Sequence, residues 1–200
     1  MPGRDEILRS LTGAWSLFLD RPGALGYFDI SVEGFWRSFG AILLTIPSYF
    51  VIAATERLQI LTDAVDEGFD GNAFFLNKAL SIGLDWIAFP IVLACIVGPL
   101  GLSRSYTTFI VARNWGAVLA ILPFAAVGIL YLAGFLGAAA LNVISMVILI
   151  VVIRYSYLIA RRALGADIGV AVALVLSDLS LSLLIIGTFG ALVPYTSAVP

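Results

Sequence analysis

Apolar residues fall along this chain in five long blocks, roughly Phe35–Ala54, Ala79–Leu100, Gly116–Ala138, Leu141–Ile159 and Ile168–Val193. The charged residues collect between them. Each block is about the 20 residues that a helix needs to cross a hydrocarbon core about 30 Å thick. None alternates with the period of two of a barrel strand, and only helices or closed barrels satisfy every backbone group inside a bilayer. The pattern predicts an all-α fold, a polytopic transmembrane bundle of five spans over residues 35–200. A separate N-terminal segment, residues 1–34, precedes it.

That segment has its own periodicity. Ile7, Leu8, Leu11, Trp15, Phe18 and Leu19 recur on one helical face, with Arg4, Asp5, Arg9 and Ser16 opposite. Arg21-Pro22-Gly23 ends the run, because proline cannot continue a helix and glycine permits a turn. The expectation is an amphipathic helix lying in the membrane interface, with Trp15 at headgroup depth. A helix that docks a partner, or a mobile gate, is the alternative. Two bases on the polar face make only weak attraction to anionic lipid expected. The segment lacks the apolar core and cleavage site of a secretory signal, so the first span is expected to act as an uncleaved insertion signal.

Composition narrows the class. Apolar residues make up 61% of the chain and charged residues only 12%, about half the charge of a soluble domain. The lipid bilayer is therefore the expected solvent and first partner. A net charge of −2 without a dense basic cluster gives no footing for nucleic acid. The chain has no histidine, so His-ligated haem, imidazole ligands to chlorophyll, His-based zinc and a Ser–His couple are excluded. Cys95 is the single cysteine, expected to be a small buried hydrophobe in the second span. No catalytic residue, cofactor or metal site is expected.

The basic residues predict an orientation. Arg4, Arg9, Arg21, Arg37, Arg104, Arg113, Arg161 and Arg162 fall on one side of a five-span chain, and Arg57 and Lys78 on the other. By the positive-inside rule the N-terminus is cytoplasmic and the C-terminus outside. Tyr27, Phe28, Phe35 and Trp36 suit the depth at which the chain enters the bilayer. The loop from Glu56 to Lys78 is acidic, and Leu58, Leu61, Val65 and Phe69 predict a helical extension of the first span into it. Tyr106–Ala112 is expected to form an interfacial turn of helix before the third span; the alternative is the true start of a long third span carrying Arg113.

Three ionisable residues stand inside the apolar blocks: Asp85, Arg154 and Asp178, the last in SDLSLS with Ser177, Ser180 and Ser182. A charge at the bilayer centre costs about 2.5–3.5 kcal/mol on insertion scales, so each needs a partner, water or a proton. The hairpin of spans four and five brings Arg154 near the level of residues 174–176, so an Arg154–Asp178 pair is expected. Such a pair would be an interhelical staple, or a site for an anionic substrate or proton relay; otherwise Arg154 snorkels to the interface. Small residues four apart, at Gly116/Ala120, Gly134/Ala138, Gly169/Ala173 and Gly187/Ala191, mark faces where helices can approach closely. Pro47, Pro90 and Pro123 lie mid-span.

The run ILRSLTGAWSLFLDRPGALGYFDISVEGFWRSF, the five spans and the FIVARNW segment resemble a family of small integral membrane proteins of alphaproteobacteria. The five-span layout with a cytoplasmic N-terminus is also similar, by architecture, to the Yip1-domain proteins of membrane trafficking and organisation. These resemblances imply a bacterial inner membrane location and no enzymatic site. The expected function is non-catalytic: an accessory or organising subunit that binds other membrane proteins or lipid, with homo-oligomerisation open. The alternative is a small transporter or channel component using Asp85, Arg154 and Asp178.

Overall fold

The computed structural model describes residues 2–63 and 69–192, with helices and short connections and no strand among them. Seven α-helices follow in order: α1 Arg4–Phe18, α2 Val32–Ser38, α3 Ile42–Asp63, α4 Gly71–Ile96, α5 Tyr106–Leu132, α6 Ala138–Ala163 and α7 Ile168–Leu192. A single 3₁₀ turn, Phe39–Ala41, joins α2 to α3. Among the described residues, five stretches are long and apolar enough to cross a membrane: Val32–Thr62, Gly71–Ile96, Ser103–Leu132, Ala138–Ala163 and Ile168–Leu192. The chain is an integral membrane protein.

Most spans run past their apolar blocks because amphipathic turns extend them. The extension of the first span is helical to Asp63, while Val65 and the end of the predicted fifth span at Val193 lie outside the described residues. Contrary to the expected interfacial turn, Tyr106–Ala112 begins α5 itself, as the alternative had it. Phe109, Ile110, Val111 and Ala112 are all buried, which an interfacial turn would not achieve. Pro47, Pro90 and Pro123 sit inside helices that continue through them.

Helix α5 is the axis of the bundle: α1, α2, α3 and α6 all pack on it. Helix α7 packs on α4 and α6, and α3 meets α4 only sparsely, so the seam between those two is open. Cross-helix bonds fix the up-and-down course. Gln59–Asn142 and Glu56–Lys78 join α3 to α6 and α4 far from α1, while the Tyr106 hydroxyl donates to Pro90 O at the end that carries α1. That latter end is called the near end below.

Of the small-residue pairs, only Gly116/Ala120 has its glycine at a tight helix contact. A Cβ at Gly116 would come within 2.9 Å of Ile159 Cδ1 on α6. Gly128, which has no small partner at that spacing, does the same for α3, where a Cβ would meet Thr55 Oγ1 at 2.8 Å. Gly134 instead ends α5 at φ 79°, where the Phe135 N–H donates to Leu130 O. Gly169 meets only Asp167 of its own loop, and Gly187 has open space around it. Cys95 is exposed, contrary to expectation, because the outer face of α4 has no helix against it.

Candidate functional site

Three ionisable residues of the spans gather in one layer. Arg113 lies seven residues into α5, Asp178 ten into α7 and Asp85 eleven before the end of α4. At 1.5 Å per residue these are depths of about 10–16 Å from the near end. Arg113 Nη2 donates to Asp178 Oδ1 at 2.8 Å, and its guanidinium stands 4.8 Å from the centroid of the Phe89 ring. Asp85 accepts the Ser182 hydroxyl at 2.6 Å. The cavity beside the ion pair measures about 20 Å³, room for roughly one water molecule.

Arg154 is therefore not the partner of Asp178. Its depth agrees with the hairpin argument, but its direction around the helix does not. Ser156, Ile159 and Ala160 line the cavity at Asp178, and Arg154 is two residues from Ser156, about 200° around α6. Arg154 is exposed and reaches the near end, its Nη1 3.4 Å from Phe18 O. Ser177 and Ser180 likewise lie exposed on α7, off the Asp178 face. Ser182, one turn beyond Asp178, is the serine that points inward and binds Asp85. The signal for Arg113 was the unbroken apolar run from Tyr106, which places a guanidinium inside the span and obliges it to find an acid.

Helix α1 is docked, not merely laid on the interface. Its buried face is Ser10, Gly13, Ala14 and Leu17, an i, i+3, i+4, i+7 stripe of mostly small residues set against α5 and α6. Ser16, placed on the polar face by periodicity, is buried too. Ile7, Leu11 and Phe18 pack at the margin of the core, while Leu8 and Trp15 remain 57% and 51% exposed. Gly13 lets the 24–28 segment close tightly over α1: a Cβ there would come 2.7 Å from Tyr27 Cβ. Residues of α1 and of the 24–28 segment belong to the same apolar core as the spans.

Polar contacts hold both ends of α1. Glu6 and Asp29 grip Arg37 from two sides, at 2.9 and 2.6 Å. At the other end the Tyr155 hydroxyl donates to Ala14 O at 2.8 Å. Asp20 then closes the helix in a left-handed conformation, φ 53°, with the Asp20 and Arg21 N–H groups bonded back to Leu17 O and Ser16 O. Its carboxylate receives two bonds from Arg162, at 2.7 and 3.0 Å. Those bonds hold the Asp20 carboxyl below the usual carboxylate range, and hydrogen bonding from Ser31 does the same for Asp29.

The larger cavities are elsewhere. The open seam between α3 and α4 is an apolar groove of about 460 Å³, lined by Ile46, Phe50, Phe75 and Ile82 with Lys78 at its rim. A second apolar cavity, about 180 Å³, lies between Trp15, Phe18, α5 and α6. No three metal-ligating side chains converge among the described residues. Comparison with protein-family models, with curated proteins and with solved structures gives no match.

Proposed function

We propose that this chain is a non-catalytic accessory or organising protein of a bacterial inner membrane, binding other membrane proteins or lipid. The observation that carries the proposal is a contrast between cavities. The charged layer is closed into pairwise contacts around a space of about 20 Å³, while the larger seam groove, about 460 Å³, is apolar and opens sideways between α3 and α4. A solute path needs continuous polar space through the bundle; a binder of helices or acyl chains needs lateral apolar surface. Large exposed side chains at the seam, Leu43, Ile46, Phe50 and Phe75, provide such surface. The resemblance to small alphaproteobacterial membrane proteins points the same way.

The N-terminus is assigned to the cytoplasm and the C-terminus to the periplasm. Removing Arg113, seven residues into α5, and Lys78, seven residues into α4, from the count of loop bases leaves seven against one and the same sign. A C-terminal alkaline phosphatase fusion should be active in cells, and an inactive fusion would reverse the assignment.

Extraction into native nanodiscs, followed by mass spectrometry, tests the role itself. A stoichiometric membrane-protein partner or a tightly held lipid is expected. The convergence of Asp85, Arg113 and Asp178 on one layer favours a second role, a small transporter component. Uptake of a solute by proteoliposomes, abolished by Asp178→Asn, would put that role in place of the first.

A further inference from the structure

We propose that the near end carries a binding site for the phosphate of an anionic phospholipid, built from Arg21 and Arg162 around the turn that closes α1. This deepens the binding role above by naming a lipid class, and it rests on that role. A cavity of about 350 Å³ lies there, in the size range of small-ligand sites, with Leu17, Pro22 and Leu25 as apolar walls and the two guanidiniums at its edge. Arg162 is in the last turn of a membrane-spanning helix, so the cavity sits at the depth where headgroup phosphates lie. Apolar wall and basic rim together match an amphiphile, not a soluble anion alone.

Charge argues for the same occupant. Arg162 is held by Asp20, and Arg154 reaches Phe18 O, two residues from Asp20. Arg21 makes no ion pair among the described residues. Arg162 and Arg154 thus share the one carboxylate of Asp20 while Arg21 lines the same cavity, which leaves positive charge unmatched at a surface facing lipid headgroups. The polar face of α1 is poor in bases by itself; α6 supplies them once α1 is docked. Asp20 is the chain's own anion in the site, and it holds Arg162 in place for the phosphate while competing with it.

The test uses the full chain in mixed micelles holding phosphatidylglycerol and phosphatidylcholine in equal amounts, with retained lipid counted by native mass spectrometry. Wild type should retain phosphatidylglycerol preferentially. Arg21→Gln should cut that preference about fivefold, one basic contact's worth at a lipid surface, although Arg21 supports no ion pair in the fold. Asp20→Asn should raise it, since a competing carboxylate is gone; a purely structural Asp20–Arg162 contact predicts no rise. Equal retention of the two lipids, or a preference unmoved by Arg21→Gln, overturns the proposal. Displacement of phosphatidylglycerol by excess inorganic phosphate would assign the site to a free anion and remove the lipid. Solute uptake would defeat the accessory role and leave lipid preference standing, whereas loss of lipid preference would leave partner capture standing.

Discussion

Arg113 on α5 and Asp178 on α7 form an ion pair 2.8 Å long inside the membrane-spanning bundle, with the Phe89 ring against the guanidinium. The two residues are 65 positions apart in the chain and sit on helices separated by α6 in sequence. Each offsets part of the other's cost of standing charged among apolar side chains. The pair ties the central helix of the bundle to the outer pair α4 and α7.

Breaking the pair from one side leaves a charge without a partner. Arg113→Gln should destabilise the bundle by about 3 kcal/mol, and adding Asp178→Asn should recover much of that. Arg154→Gln, which removes only a long contact to Phe18 O, should cost well under half as much. Unfolding in mixed micelles, followed for Arg113→Gln, Asp178→Asn, the double variant and Arg154→Gln, checks the cycle. An Arg154 effect equal to that of Arg113 would refute the assignment of partners.

Tyr155 reports on the docking of α1. Its buried hydroxyl donates to Ala14 O, so Tyr155→Phe should weaken docking by about 1 kcal/mol while leaving the spans intact. Amide exchange should speed up over residues 4–18 and stay unchanged in α7.

Two glycines give opposite outcomes. A Cβ at Gly34 would collide with Asp29 O, in backbone that cannot step aside, so Gly34→Ala should lower folded yield sharply. Gly187 has nothing within 4 Å of where its Cβ would stand. Gly187→Ala should therefore stabilise α7 by about 0.5–1 kcal/mol through helix propensity. Thermal melts of the two purified variants compare them directly.

Acid should release α1. Asp20 and Asp29 are both held below the ordinary carboxylate value, which is about 4. A depressed carboxyl stabilises the fold above its unfolded pKa, and that stabilisation is lost as pH falls through the lower, folded value. Protection of α1 against protease should be flat from about pH 5 to 8 and should decline below about pH 4. Asp20→Asn should remove part of the acid response.

The five spans were legible because span length and apolar content are properties of a segment taken alone. The docking face of α1 was not. Large apolar side chains set the hydrophobic direction of residues 4–20, yet the buried stripe is Ser10, Gly13, Ala14 and Leu17. In lipid, Leu8 and Trp15 are stable facing outward, and close helix approach rewards small residues instead. Periodicity computed as if water were the solvent therefore finds only the margin of the buried face, where Ile7, Leu11 and Phe18 pack. The same effect exposed Cys95, whose apolar neighbours implied burial by protein when lipid serves equally well.

Depth and direction divide what each level of description determines. The sequence by itself determined that this chain crosses a bilayer five times, where its bases collect, and that Arg154 and Asp178 stand at neighbouring depths, since depth follows from counting residues along a helix; Asp85, two turns in from the outer side by the same count, joins their layer because α4 begins at Gly71. Only the tertiary structure decided that Asp178 meets Arg113, that Ser182 and not Ser177 or Ser180 turns inward, and that Arg154 belongs with α1. Rotation of a helix about its axis is set by packing against its neighbours, and no one-dimensional pattern carries that angle when every face is apolar.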